Sequence, residues 1–184
     1  MATTEALLTA EEYFQLPDLG QPNELVRGRV VMMNMPGSRH GLICSRISAY
    51  LLNFVEERDL GYVLSNDSGV VTERGPDTVR GADVSYFSYQ RIPRGALPEG
   101  YPSVSPEIVF EVRSQHDRIK PMREKASEYL KAGVLVVCLV DPKAKTIEVH
   151  LPDGGEPTKL AGDQELTFSD ILPGFSLSLA RLFS

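Results

Sequence analysis

Cysteine is scarce in this chain: its 184 residues contain only Cys44 and Cys138, one on an expected helix and one inside an apolar strand. Two thiols so placed make no disulfide framework, and neither has metal-ligand company in the sequence. Reduced, buried thiols in a cytoplasmic protein are the simple expectation. No apolar run approaches the roughly 20 residues needed to cross a bilayer. The stretch from Met1 to Gln15 carries Glu5, Glu11 and Glu12 and no basic residue ahead of an apolar segment, unlike a signal peptide. His-x-x-x-His, Cys-x-x-Cys, Gly-x-Ser-x-Gly and Walker-type glycine loops are absent. Zinc proteases, serine hydrolases and nucleotide triphosphatases therefore lack support. Without repeats, low-complexity tracts or linkers, the chain reads as one domain over 1–184.

A surplus of positive charge is missing too. The net charge of −6 argues against holding nucleic acid by bulk electrostatics. Its distribution is uneven. Met1 to Glu24 has five acidic residues and no basic one, whereas Arg113 to Lys131 has six basic residues against three acidic. That local basic face would admit a phosphate backbone, or it is simply the solvated side of an amphipathic helix.

What the chain does have is an acid in an unfavourable place. Ile108, Val109, Phe110 and Val112 predict a strand covered on both faces, and Glu111 stands in the middle of it. Burying a carboxylate costs several kcal/mol unless a partner compensates. Asp83 has a similar setting in Ala82-Asp83-Val84-Ser85-Tyr86-Phe87, and Lys125 falls on the helix expected directly after the Glu111 strand.

The rest of the pattern alternates between helices and strands. Thr9-Ala10-Glu11-Glu12 predicts a capping box and a short helix through Leu16. A hairpin is expected from Glu24 to Met35 around Arg27-Gly28-Arg29, then a helix capped by Ser38 and running to about Arg58, with Gly61 after its end. Strands follow at Tyr62 to Thr72, broken by Asn66-Asp67-Ser68-Gly69, and at Ala82 to Ser88. Arg91 to Pro106, rich in proline, is the kind of long loop that covers a site or stays disordered. After the strand Glu107 to Arg113, a helix from about Asp117 to Lys131 ends at Gly133. A buried strand is expected at Val134 to Val140, and one at Thr146 to Leu151 with Ile147, Val149 and Leu151 inward. A strand near Leu166, a turn at Leu172 to Phe175 and a last helix from Leu177 complete the order. The fold class is α/β, an α+β arrangement with a central mixed sheet flanked by helices.

Asp83 and Glu111 on adjacent strands would hold Mg²⁺ or Mn²⁺, hard cations that take oxygen ligands. The Val112 carbonyl would add another oxygen. Such an ion activates water and neutralises charge in phosphodiester hydrolysis. Lys125 sits at the edge of the stripe formed by Ile119, Met122, Ala126, Tyr129 and Leu130, so its ammonium either snorkels to solvent or reaches the acids. Glu24 would contact the metal through water, or is a turn-capping acid. Arg113, two residues beyond Glu111, would bind the scissile phosphate or neutralise Glu111. His40 is a phosphate contact, a proton shuttle or a structural histidine; His116 and His150 read as surface residues.

Several segments together resemble one family. Glu24-Leu25-Val26-Arg27-Gly28, Arg39-His40-Gly41, Arg80-Gly81-Ala82-Asp83-Val84, Val109-Phe110-Glu111-Val112, the run from Lys125 to Val134, and Val140-Asp141-Pro142 are similar to the Uma-two family of restriction-endonuclease-like proteins. The likeness spans about Thr9 to Phe183. It implies a PD-(D/E)XK nuclease core, Asp83 and Glu111 as metal ligands, Glu24 as a further active-site acid, and the catalytic lysine at Lys125 on the helix. It also implies a DNA substrate and a homodimer. Ala82 stands where the family usually has proline, and Ser114-Gln115-His116-Asp117 replaces its frequent Ser-Pro-Ser-Asp. Two rivals remain beside a Mg²⁺-dependent deoxyribonuclease: a nucleic-acid-binding module without catalysis, and a hydrolase of small phosphoesters.

Overall fold

The computed structural model describes residues 6–184; Glu5, counted above, lies outside them. Thr9 opens α1 (Ala10–Phe14) with the expected capping box. Its hydroxyl accepts from the Glu12 N–H, while the Glu12 carboxylate accepts from the Thr9 N–H. β1 (Asn23–Val26) and β2 (Arg29–Met32) form the hairpin, turning at Arg27-Gly28 with both residues at positive φ. That is the backbone a two-residue hairpin turn needs.

α2 (Ser38–Arg58) buries Ile43, Ile47, Leu51 and Val55. One of its boundary expectations, the Ser38 cap, fails, while Gly61 does follow the helix end. Gly37, not Ser38, occupies the N-cap, without a side-chain bond, and Asp59 takes the left-handed C-cap at φ 58°. Gly61 starts β3 (Gly61–Glu73), where an added Cβ would collide with the Phe87 carbonyl. β3 is also one strand rather than two. Asn66 and Asp67, at φ 64° and 55°, bulge between Ser65 opposite Val84 and Ser68 opposite Ala82. Asn and Asp tolerate the left-handed region, so a turn-like run is absorbed as a bulge.

β4 (Thr78–Ser88) pairs with β3 along one edge. On the other edge it meets β1 at Val79 and β5 (Ile108–Val112) at Val84, Ser85 and Tyr86. Between those two pairings, residues 80–83 have no strand partner on that side. Three buried acids, Glu24, Asp83 and Glu111, gather at this gap. β5 runs parallel to β6 (Val136–Asp141) through the crossover helix α3 (Ile119–Lys131). Antiparallel β7 (Thr146–His150) and β8 (Thr158–Ala161) extend the sheet, giving the order β2-β1-β4-β5-β6-β7-β8 with β3 on β4. A second sheet pairs β9 (Glu165–Phe168) with β10 (Leu172–Ser178), followed by α4 (Leu179–Leu182). The expected turn at Leu172 to Phe175 is thus part of an irregular strand. Leu151, expected inward, is 46% exposed because β7 ends before it.

The mixed sheet is flanked by helices, as the pattern predicted. Alternation along β5 sends Ile108, Phe110 and Val112 toward α2, and Val109 toward Met122, Ala126 and Tyr129 of α3. Full burial of such side chains contributes roughly 1.5–3 kcal/mol each. That sum holds in place a strand whose Glu111 is unfavourable to bury. The proline-rich loop neither covers the acids nor hangs free. Arg91 donates to the Pro106 and Gly133 carbonyls and pairs with Glu107, and no residue of 91–106 lines the main cleft. Among the described residues, no helix is long and apolar enough to cross a membrane.

Candidate active site

Glu24, Asp83 and Glu111 are 4%, 7% and 7% exposed, so all three need partners. Lys125 supplies the main one. Its Nζ lies 2.8 Å from Glu24 Oε1 and 2.9 Å from Glu111 Oε2, and it donates to the Gly81 carbonyl at 2.9 Å. These three acceptors use every hydrogen of the ammonium. The lysine therefore reaches the acids and does not snorkel. The unpaired edge of β4 contributes main chain directly, since the Gly81 N–H donates to Glu24 Oε1 at 3.0 Å.

Glu24 is no turn cap. Its other oxygen accepts from Arg80 at 2.8 Å, and Arg80 in turn grips Glu128 of α3 with two bonds of 2.7 and 3.0 Å. Burial works against the Glu24 charge, but Lys125 and Arg80 outweigh it and hold this carboxyl below its usual range. Glu111 is less well compensated. Burial, reinforced by Asp83, pushes it up to about 7 despite the neighbouring Lys125. Its Oε1 accepts from the Tyr129 hydroxyl at 2.8 Å. For Lys125, burial disfavours the ammonium, yet Glu111 and Glu24 raise it above its ordinary value.

Asp83 takes a different set of partners. Its Oδ2 accepts from the Val112 N–H at 2.6 Å, and its Oδ1 lies 3.1 Å from His40 Nε2. His40 is disfavoured as a cation by burial, but Asp83 outweighs that and raises it. The remaining imidazole nitrogen is 3.5 Å from Cys44 Sγ, one helical turn on. Cys44 thus lies beside both His40 and Asp83, contrary to the expectation that neither cysteine has metal-ligand company. The helical His-x-x-x-Cys spacing was the available signal. Asp67, on the exposed β3 bulge at the cleft, is a further neighbour; desolvation and the Asp83 carboxylate push it up.

Arg113 does not neutralise Glu111. Its Nη1 pairs with Asp141 Oδ2 at 2.7 Å and its Nε donates to the Asp117 carbonyl at 3.1 Å. It lines the same cleft, of about 740 Å³, as Glu24, His40, Asp83, Glu111 and Lys125. His116 is exposed, but His150 is half-buried beside Glu148, so only one of the two is a surface residue.

The sequence model of a family described as "Uma2: Putative restriction endonuclease" matches residues 10–180, nearly the whole chain. The chain belongs to the Uma2 family. A crystal structure described as a putative nuclease of DUF820 from Anabaena variabilis superposes with a TM-score of 0.79 at 22% identity, covering 96% of this chain and 97% of that one. That likeness establishes the fold. No curated protein matches the sequence.

Within this Uma2 chain, the donor set around Asp83 and Glu111 suits a hard divalent cation. Each carboxylate oxygen has a hydrogen-bond or ion-pair partner, and Asp67 adds a side-chain hydrogen bond to Asp83; with two lone pairs per oxygen, some remain for a ligand. Burial first, and the Asp83 charge after it, raise Glu111, and a divalent ion beside it would favour the charged carboxylate. Three contributors were not assigned from sequence: Tyr129 was read only as core, Arg80 only as part of a motif, and Asp67 only as a strand break.

Proposed function

We propose that this Uma2 protein is a metal-dependent endonuclease that hydrolyses DNA phosphodiester bonds, with Asp83 and Glu111 holding Mg²⁺ or Mn²⁺. The observation that carries the reading is the convergence of Lys125 on Glu24 and Glu111, beside Asp83, in one cleft. When bound, such an ion supplies an activated water and Lewis-acid neutralisation of the phosphoryl oxygens. The chain's own residues do the rest. Lys125 brings a fixed positive charge to the site of charge development. All three of its hydrogens have acceptors, so it meets a phosphoryl oxygen or the attacking water only by exchanging one of them. Glu24, itself fixed by Arg80, holds that ammonium from behind. Arg113, steadied by Asp141, offers its guanidinium face to the phosphate backbone from the cleft wall. A homodimer is the assembly expected from the family resemblance.

One feature supports a second reading. About 740 Å³ lies within the range that holds small molecules, as a small-phosphoester hydrolase would require. Plasmid, linear and single-stranded DNA, and p-nitrophenyl phosphate, incubated with Mg²⁺, Mn²⁺ or chelator, separate the readings. DNA cleavage lost with chelator and in Asp83→Ala is expected. Cleavage that survives both removes the mechanism, and turnover of the small ester alone favours the second reading. Salt-sensitive DNA binding without cutting points to a binding module.

A further inference from the structure

We propose that His40, Cys44 and Asp83 form a second cation site, which takes a borderline-soft divalent ion of the zinc class. An imidazole, a thiol and a carboxylate make the mixed donor set such ions prefer, whereas Mg²⁺ favours oxygen alone. His40 and Cys44 stand four residues apart in the first turns of α2, so both project from one side of a regular helix. Asp83 approaches from β4. His40 Nε2 is 3.1 Å from Asp83 Oδ1, and Cys44 Sγ is 3.5 Å from His40 Nδ1 and 3.9 Å from Nε2. The candidate ligand atoms all lie within 4.8 Å of one another. A tetrahedral ion with zinc-type bond lengths spaces its ligand atoms by roughly 3.3–3.8 Å, so small rotations suffice.

His40 and Asp83 also line the cleft, leaving the fourth position approachable from solvent. Three protein ligands and one open position are a common zinc arrangement. On binding, the ion replaces the proton between Nε2 and Oδ1, which is released to solvent. The thiol proton passes to solvent as the Sγ–metal bond forms. Cys44 has no part in the hydrolytic reading, and its hydrogen-bond contacts among the described residues are to His40. Asp83 would serve both ions, so zinc occupancy would withdraw a ligand from the hydrolytic ion. Only this last consequence rests on the proposed function.

Titrating the full chain with Co²⁺ tests the site through thiolate-to-cobalt absorption. The band is expected in the wild type and in Cys138→Ala, which keeps the proposed thiol, and lost in Cys44→Ser. His40→Gln, which also keeps that thiol, is expected to bind Co²⁺ at least about tenfold more weakly. Zn²⁺ is expected to raise the thermal midpoint of the wild type and not of folded Cys44→Ser. No band, or a band persisting in Cys44→Ser, overturns the site. In a cleavage assay with Mg²⁺, Zn²⁺ is expected to inhibit the wild type at lower concentration than Cys44→Ser, and equal sensitivity overturns the sharing of Asp83. If the chain cleaves nothing, the cobalt titration still decides.

Discussion

Tyr129 donates its hydroxyl to Glu111 Oε1 at 2.8 Å, linking α3 to the buried acid of β5. The two are read separately in sequence, one as core and one as chemistry, yet each completes the other. Burial drives the Tyr129 hydroxyl well above its ordinary pKa, and the Glu111 charge adds to this, so the phenol stays a donor. Tyr129→Phe keeps the ring and removes only that bond. It is expected to lower stability by roughly 1–3 kcal/mol in urea unfolding. Mg²⁺ affinity, read by calorimetry, should fall about 10–100-fold. Unchanged affinity would mean that Tyr129 does not orient the acid.

Glu111 sets a pH dependence whose sign follows from its raised pKa of about 7, against an ordinary 4.5. Between those values the folded chain keeps a proton that the unfolded chain has lost. Metal-free stability should therefore fall as pH rises through this window and level off above it. His40, also raised, contributes a loss of the same sign as pH climbs through its folded value. Urea midpoints in chelator between about pH 5 and 8 check this. Glu111→Gln should remove the fall below neutrality and leave the His40 part. Mg²⁺ binding should run oppositely, weakening as Glu111 takes up its proton.

Gly81 sits where main chain and side chains meet. Its N–H donates to Glu24 and its carbonyl accepts from Lys125, while an added Cβ would lie 3.0 Å from Asp67 Cβ and 3.1 Å from the Asp67 carbonyl. Gly81→Ala must displace the bulge or the β4 edge. Cleavage is expected to drop roughly 10–100-fold with the fold retained by circular dichroism. Full activity would show that the main chain at this point has slack.

Arg113 is paired with Asp141 at the cleft wall rather than with the buried acids. Arg113→Ala should weaken DNA binding and reduce the slope of log affinity against log salt by about 1. Hydrolysis at saturating DNA should change little. A large loss of rate at saturation would move Arg113 into the reaction itself.

The mixed sheet, both long helices and the grouping of Asp83, Glu111 and Lys125 were legible because burial imposes strong local patterns, whereas Glu24 joined them only through the family resemblance. An acid inside Ile108–Val112 has few structural explanations, and Lys125 keeps helical phase with its stripe. What escaped depends on contacts across the fold. Asn66-Asp67 looks like a turn until β4 pairs on both sides of it and turns it into a bulge. β8, with its Thr158–Ala161 run mostly exposed, lacks an apolar signature and forms only because β7 offers an edge. Arg80 carries no signal for a bridge between Glu24 and Glu128, since that role exists only once β1, β4 and α3 have met.

The most direct measurement is the anomalous scattering of Mn²⁺ in crystals of the wild-type protein. One peak is expected about 2.1 Å from an oxygen of Asp83 and from an oxygen of Glu111, with Lys125 alongside. A bound ion elsewhere in the cleft, with the Lys125 ammonium still held by both Glu24 and Glu111 and no density between the two strand acids, would contradict a hydrolytic centre at this place.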